Sequence, residues 1–279
     1  MKVLGKMRLC WLVVRDLVLL VAVFLFYASL LDAVIGLLPF SLDELQEFAL
    51  YQLVEVLALL AAYGSLKKLR TLPSPGLGFS LQGRGTEMAG GFLTAALLYG
   101  VGFGVSCAAG WVQVEAVHWL WPSLLNTLAL FFLVAVFEEV LLRGILLGKL
   151  LDGGMPKYAA LLLSSVLFSA LHLFNPNFSW LPFLNILLAG VLLGASYIYT
   201  RNLWFPIFLH WFWNWLQGPV LGYGVSGMQM SDPVLKLSFS GPDMLSGSVF
   251  GFEGTLLCTL LMIIATCIVL RVFKSRGNA

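Results

Sequence analysis

Residues 124–150, LLNTLALFFLVAVFEEVLLRGILLGKL, combine the two features that decide the fold. The stretch is long enough to cross a membrane, since about 30 Å of hydrocarbon takes roughly 20 apolar residues as a helix. Its interior also carries two adjacent glutamates and an arginine, and ionisable groups inside a membrane are costly and usually functional. The stretch therefore predicts a membrane-spanning helix that contributes to a polar site.

The whole chain has a similarly apolar composition. Of its 279 residues, 60% are hydrophobic and 11% are charged, whereas soluble domains carry about 25% charged residues. So few charges cannot cover a water-facing surface. The composition excludes a soluble enzyme, a disordered protein and a nucleic-acid-binding protein, and it predicts a multi-pass protein whose main partner is the lipid bilayer.

Eight apolar stretches are long enough to span a membrane. They are residues 17–38, 47–64, 87–109, 124–150, 157–174, 183–200, 203–221 and 252–273. We therefore predict an all-α polytopic membrane protein, a bundle of about eight transmembrane helices. Residues 1–110 supply helices one to three, residues 124–221 supply helices four to seven, and residues 252–273 supply the last. The segments 65–86 and 222–251 are interpreted as connectors.

Basic residues are distributed unevenly among the connections. With the N-terminus taken as cytoplasmic, one side carries thirteen basic residues and the other side carries only Lys236. The thirteen are Lys2, Lys6, Arg8, Lys67, Lys68, Arg70, Arg84, Lys149, Lys157, Arg201, Arg271, Lys274 and Arg276. Because cytoplasmic connections are enriched in Lys and Arg, this bias favours eight spans with both termini in the cytoplasm.

Helix geometry separates the two glutamates of the fourth stretch. Glu139 and Arg143 are four residues apart with the acid first, which favours an ion pair on one helix face. Glu138 points about 100° away from Glu139, so its carboxylate is free for chemistry. The alternative interpretation is that all three side chains form a helix-packing network, since buried polar groups also hold membrane helices together.

Two histidines and an asparagine lie in other apolar stretches. Asn214 follows His210 by one helical turn, so their side chains share a face, and His172 ends the apolar run 168–172. Counted at 1.5 Å per residue from the cytoplasmic helix ends, these groups and Glu138 fall in one middle layer of the membrane. We expect them to form one polar cavity.

Such a cavity is suited to hydrolysis of an amide bond. Glu138 could accept a proton from water, and neutral His172 and His210 could bind a metal, polarise the water or donate to an oxyanion. The amide of Asn214 could hold a developing negative oxygen. No Ser or Cys nucleophile is paired with a base, and this favours attack by water.

Three motifs together resemble those of the CAAX-processing and bacteriocin-processing family of intramembrane endopeptidases, which includes the type II CAAX prenyl proteases. The motifs are Glu138-Glu139-x-x-x-Arg143, Phe168-x-x-x-His172 and His210-x-x-x-Asn214, in that order. The resemblance covers about residues 124–217, whereas residues 1–110 match only in being apolar. It implies a helical bundle whose site is enclosed within the membrane.

The resemblance also implies a role for each motif residue. Glu138 would be the general base, and His172 would hold or activate the water. Glu139 would pair with Arg143 or support the site, and His210 with Asn214 would stabilise the oxyanion.

The sequence leaves open whether the site binds a divalent metal such as zinc as a cofactor. His172 and His210 supply two ligands, a zinc site normally takes three from the protein, and either glutamate could be the third. The implied substrate is a membrane-associated peptide or protein, prenylated or CAAX-like in type, and the implied location is the plasma (inner) membrane of a bacterium.

Two other functions fit the same residues. Related bacterial proteins act in bacteriocin immunity or as membrane scaffolds, without catalysis. Glutamates and histidines inside a membrane also serve as proton relays in transporters, although the internal repeats typical of transporters are not evident here. Retention of all five polar groups favours the enzyme, because a scaffold does not need them.

The predicted topology can be tested by cysteine labelling. In a variant with its native cysteines replaced, we expect Lys236→Cys to react with a membrane-impermeant maleimide from outside intact cells, because the positive-inside bias places it there. Lys68→Cys should react only after permeabilisation and serves as the matched control. Reaction of residue 236 from the cytoplasmic side alone would contradict the topology.

Overall fold

A computed structural model of the chain describes residues 2–37, 42–69, 76–229 and 232–276. Arg70, counted above among the basic residues, lies outside these ranges. The described helices are α1 (Lys2–Ile35), α2 (Glu44–Lys68), α3 (Gly85–Ala108), α4 (Trp121–Glu139), α5 (Gly148–Asp152), α6 (Lys157–Leu171), α7 (Trp180–Thr200), α8 (Trp204–Trp215), α9 (Asp243–Ser246) and α10 (Leu256–Arg276). Their predominance confirms the all-α prediction.

Five helices in the described ranges are long and apolar enough to cross a membrane. They are Trp11–Ile35, Glu44–Lys68, Gly85–Ala108, Trp180–Thr200 and Leu256–Ser275. The chain is therefore a polytopic membrane protein, as predicted. The three remaining predicted spans coincide with shorter or interrupted helices, so the count of eight and the orientation stay predictions.

Two of these three helices are interrupted by π-helical turns. In the stretch 124–150, α4 continues into the π-helical turns Val140–Leu147 and then into α5. In the stretch 203–221, α8 continues into the π-helical turns Leu216–Val220, which contain Pro219. Proline removes a backbone donor and crowds the preceding turn of an α-helix, and a wider turn accommodates it.

The segment 222–251, interpreted above as a connector, contains part of a small sheet. Strands β1 (Val112–Val117) and β2 (Leu235–Phe239) pair antiparallel, with Val112 opposite Phe239 and an irregularity between Val114 and Ala116. Polar and apolar residues alternate in both strands, which is the period expected for a strand. The alternation could have predicted the two strands, but the sequence alone does not show that they pair with each other.

Helix α8 packs between α3 and α4, and α7 packs between α6 and α10. Small residues allow the closest approaches. A Cβ atom on Gly91 of α3 would lie 2.5 Å from the backbone oxygen of Phe205 in α8, and one on Gly190 of α7 would lie 2.9 Å from the Cα of Ser165 in α6. Close backbone contact through small residues is the usual way in which membrane helices associate. It brings the motif-bearing helices together.

A buried ion pair ties the first helix to the middle of the chain. Lys149 was counted above with the cytoplasmic connections, but it lies in α5 and its ammonium group pairs with Asp16 of α1. Both side chains are nearly inaccessible. The sequence does not predict this contact, because the two residues are far apart in the chain and neither belongs to a motif.

The contact between α3 and α8 predicts different effects for two glycines of α3. Gly91→Ala should lower the free energy of unfolding by about 1–3 kcal/mol, the usual cost of overpacking, because its methyl group would meet backbone atoms. Gly100→Ala is the control, because its Cβ has nothing within 4 Å. Thermal unfolding in detergent measures both, and equal stability of the two variants would contradict the packing.

Candidate active site

Four of the five predicted catalytic residues line one cavity of about 640 Å³ between the helices. Glu138 comes from α4, His172 follows the end of α6, and His210 and Asn214 come from α8. Most of the remaining wall is apolar, including Phe131, Leu141 and other side chains of these helices. The fifth residue, Glu139, lies behind the wall and is fully buried.

Glu139 and Arg143 form a buried ion pair within the fourth predicted span. Arg143 Nη1 donates to Glu139 Oε1 at 2.8 Å, and both residues have 0% exposed surface. Arg143 Nη2 also donates to the backbone oxygen of Gly190 at 3.1 Å, and its guanidinium carbon lies 4.5 Å from the ring centre of Phe168. Through these contacts one arginine links α4 to α6 and α7.

His210 connects the two glutamates. Its Nδ1 lies 2.9 Å from Glu139 Oε1, and its Nε2 lies 3.9 Å from Glu138 Oε2. A carboxylate paired with arginine accepts hydrogen bonds and does not donate them, so Nδ1 of His210 carries the proton in this contact. Neutral His210 therefore presents an unprotonated Nε2 to Glu138.

The protonation of Nε2 decides which role His210 can have. A neutral imidazole whose Nδ1 is protonated has no donor at Nε2, so it cannot hold an oxyanion through that atom. It can accept a hydrogen bond from water instead. The oxyanion role predicted for His210 would require the doubly protonated imidazolium.

His172 has the same tautomer for a different reason. Its Nδ1 lies 2.8 Å from the backbone oxygen of Phe168, and a carbonyl oxygen only accepts, so Nδ1 carries the proton. The Phe168 ring packs against both histidines, with ring centres 4.9 Å from His172 and 6.0 Å from His210. Phe168 thus fixes the orientation of both imidazoles, which accounts for an aromatic residue in the second motif.

Asn214 is a buried amide aimed into the cavity. The residue is 6% exposed and lines the cavity wall, and its side chain makes no hydrogen bond to the described part of the chain. Buried polar groups are nearly always hydrogen-bonded in native proteins. An amide in this position is therefore suited to bind a group that enters the cavity.

Comparison with known protein families identifies this part of the chain. Residues 119–216 match the family model described as type II CAAX prenyl endopeptidase Rce1-like. The match covers 98 of the 279 residues, and over this stretch the chain is similar to that family. The matched residues contain all three motifs and the helices that carry the cavity residues. Comparisons with curated proteins and with solved structures gave no match.

A metal ligand set is not assembled at this site. Within the described residues, no group of three or more His, Cys, Asp or Glu side chains is placed to hold a metal ion. The Nδ1 contacts of the two histidines do not decide the question, because metal-bound histidines usually make such contacts and bind the metal through Nε2. The arrangement of the side chains thus does not supply the three ligands that a zinc site normally takes from the protein.

Both interruptions of helical geometry adjoin motif residues that line or support the cavity. The π-helical turns Val140–Leu147 begin directly after Glu139 and include Arg143. The π-helical turns Leu216–Val220 begin two residues after Asn214. Single π turns occur often at functional sites, because the wider turn changes the direction of the side chains that follow it.

Another carboxylate in the cavity wall, Glu253, was missed by the sequence analysis. It lies 37 residues beyond the end of the family match and is 5% exposed. Its Oε1 accepts from Trp213 Nε1 at 2.9 Å, and its Oε2 accepts from the Ser226 backbone at 2.9 Å and from Gln217 Nε2 at 3.2 Å. Glu253 thus joins the segment before α10 to α8, next to His210 and Asn214.

One signal could have identified Glu253. It is a carboxylate at the edge of the last apolar stretch, and ionisable groups at such positions are candidates for function. Its partners come from two other segments of the chain, and no local spacing relates them.

The two motif glutamates should differ in their effect on stability. Glu139→Gln leaves the guanidinium of Arg143 buried without its counter-ion, a loss that typically costs about 3–5 kcal/mol. Glu138→Gln should be nearly neutral, because Glu138 Oε2 has no hydrogen-bond partner to lose. Thermal unfolding in detergent compares this matched pair. A Glu138→Gln protein less stable than Glu139→Gln would contradict the assignment of the ion pair to Glu139.

Proposed function

We propose that the protein is an intramembrane endopeptidase that hydrolyses a peptide bond of a membrane-associated substrate with water activated by Glu138. The family match supports CAAX-type protease activity at the level of the family. The observation that carries the mechanism is the position of Glu138. It lines the cavity, and its Oε2, which has no hydrogen-bond partner, lies 3.9 Å from Nε2 of His210 in the same wall.

Glu138 Oε2 and His210 Nε2 are suited to hold one water molecule between them. Both atoms accept hydrogen bonds in the protonation state argued above, so they do not bond to each other. A water molecule has two protons and makes hydrogen bonds about 2.8 Å long, so it can bridge acceptors at about this separation. Glu138 then accepts a proton as the oxygen attacks the substrate carbonyl.

Glu139 and Arg143 support this step without touching the substrate. Glu139 holds the Nδ1 proton of His210 and so keeps Nε2 directed at Glu138. Arg143 donates to Glu139 and connects it to α7 through the backbone oxygen of Gly190. Groups held by a supporting set of hydrogen bonds are pre-oriented for reaction.

Asn214 completes the proposed mechanism. Attack on the carbonyl places negative charge on its oxygen, and a buried amide donor stabilises that charge more than it stabilises the substrate. When the tetrahedral intermediate breaks its C–N bond, protonated Glu138 returns the proton to the leaving nitrogen. The products are a carboxylic acid and an amine, and Glu138 regains its starting form.

The apolar wall of the cavity supports a membrane-associated substrate. Side chains such as Phe131, Val134 and Leu192 would contact a hydrophobic peptide or a lipid group attached to it. A prenylated peptide is the first substrate class to examine. We place the protein in the plasma (inner) membrane of a bacterium, as the resemblance implies. The thirteen-to-one distribution of basic residues supports an orientation with both termini cytoplasmic.

Cleavage by the purified protein in lipid vesicles tests the proposal. The probes are a fluorogenic S-farnesylated peptide and a fluorogenic transmembrane peptide. Glu138→Gln should abolish turnover, and Asn214→Ala should lower kcat roughly 10²–10³-fold with little change in KM, as for other lost oxyanion donors. Glu115→Gln is the control, because Glu115 is exposed on β1 and does not line the cavity.

Two results would count against the mechanism. Full activity of Glu138→Gln would remove Glu138 as the base. Failure of the wild-type protein to cleave either probe would favour the immunity or scaffold function instead.

A further inference from the structure

A short hairpin forms part of the cavity wall. Val225 and Met228 exchange backbone hydrogen bonds of 2.8 and 2.9 Å, and Ser226 and Gly227 make the turn between them, both with positive φ. Val225, Ser226 and Met228 line the cavity. The Val225–Met228 hairpin is therefore part of the site, although it lies outside the stretch that matches the protease family.

Glu253 supports the strained residue of this hairpin. Its Oε2 accepts from the Ser226 backbone N–H at 2.9 Å and from the Ser226 hydroxyl at 3.2 Å. A φ of +50° is uncommon for a serine, and such a residue persists only where the surrounding structure holds it. Two hydrogen bonds that end on one buried carboxylate oxygen supply this support.

A chain of hydrogen bonds continues from the hairpin to His172. The backbone oxygen of Ser226 accepts from Asn175 Nδ2 at 3.0 Å, and the backbone N–H of Asn175 donates to the backbone oxygen of His172 at 3.0 Å. His172 depends on such contacts, because α6 ends at Leu171 and the residues that follow form irregular turns. Three consecutive hydrogen bonds thus connect Glu253 to His172.

Backbone packing holds the hairpin in the same place. Gly227 donates to the backbone oxygen of Phe250 at 2.9 Å. A Cβ atom on Gly227 would lie 2.1 Å from the backbone oxygen of Pro176. The tip of the hairpin is therefore enclosed between the turn that follows His172 and the segment that leads to Glu253.

The other oxygen of Glu253 reaches α8. Oε1 accepts from Trp213 Nε1 at 2.9 Å, and Trp213 directly precedes Asn214, the proposed oxyanion donor. The donors that reach Glu253 are neutral N–H and O–H groups, and a carboxylate satisfies donors at both of its oxygens because it only accepts. A glutamine of the same size would direct its NH2 group at the donors on one side.

We propose that Glu253 is a positioning residue of the active site: through the Val225–Met228 hairpin it holds the turn that carries His172 in the cavity wall, and it does not itself react with the substrate. The proposal rests on the proposed function, because it concerns the geometry of that reaction. A misplacement of about 1 Å can lower a catalytic rate about 10²-fold. Glu253 therefore contributes to the rate although it belongs to none of the three motifs.

Cleavage kinetics test the positioning role, with the fluorogenic peptides named above as probes. Glu253→Gln should lower kcat roughly 10–100-fold with a smaller change in KM, because the apolar walls that bind the substrate remain while His172 is displaced. Asp243→Asn is the matched control, an acid-to-amide change at an exposed residue that does not line the cavity, and it should leave both constants unchanged. Wild-type kcat in Glu253→Gln, or a rise in KM alone, would overturn the role.

A second variant breaks the same chain at its other end. Asn175→Ala removes the donor to Ser226 and leaves Glu253 intact, so it tests the chain even where Glu253→Gln does not fold. It should also lower kcat, and the double variant should be no slower than the slower single variant, because residues that act through one network are not additive. Full activity of Asn175→Ala, or multiplication of the two losses in the double variant, would overturn the proposal.

Hydrogen exchange measured by mass spectrometry separates this proposal from the proposed function, because it needs no cleavage. In Glu253→Gln, the amides of residues 223–229 and 172–176 should exchange at least about tenfold faster than in the wild type, and those of α2 should be unchanged. This result in a protein that cleaves neither probe would contradict the endopeptidase and support the connection from Glu253 to His172. Unchanged exchange in residues 172–176 would overturn the positioning role.

Discussion

One oxygen atom, Oε1 of Glu139, accepts hydrogen bonds from Arg143 at 2.8 Å and from His210 at 2.9 Å, and all three residues are buried. A buried cation without a partner typically costs about 3–5 kcal/mol, so the carboxylate is needed for stability before it contributes to any chemistry. The same atom also determines the tautomer of His210. Stability and the chemical state of the site are therefore linked at Glu139.

The helices are arranged around this contact. Arg143 reaches the Gly190 oxygen on α7, and Gly190 also packs closely against the backbone of Ser165 in α6. His210 can reach Glu139 because α8 packs against α4 on one side and, through Gly91, against α3 on the other. Small residues at helix contacts thus bring together groups from three separate stretches: the Glu139–Arg143 pair, the imidazole of His210 and the backbone oxygen of Gly190.

Local spacing accounts for what the sequence could predict. The i, i+4 relation gives the Glu139–Arg143 pair, and the 100° step between neighbours separates Glu138 from it. A second argument predicts which residues line the cavity. Helix positions along the sequence give each side chain a depth in the membrane, and only side chains at similar depths can meet. The membrane class follows from composition, and the helix positions follow from apolar length.

Contacts between distant segments account for what the sequence could not predict. No spacing relates His210 to Glu139, Asp16 to Lys149, or Glu253 to Trp213. The sequence could not predict the tautomer of His210 either, because the tautomer depends on which ring nitrogen faces the distant carboxylate of Glu139. Tertiary packing decides these contacts, and it places Nδ1 of His210 against Glu139.

The carboxylates near the cavity are maintained in two different ways. Glu139 Oε1 accepts from both Arg143 and His210, and both oxygens of Glu253 accept from the protein, so these two carboxylates serve as fixed supports. Oε2 of Glu138 and Oε2 of Glu139 are both buried without a hydrogen-bond partner, so unpaired oxygens do not separate the two glutamates. Their position separates them: Glu138 lines the cavity, and Glu139 lies behind its wall with its other oxygen held by two donors. Hydrogen bonds to a carboxylate favour its charged form and weaken it as a proton acceptor, and this supports the proposal of Glu138 as the base.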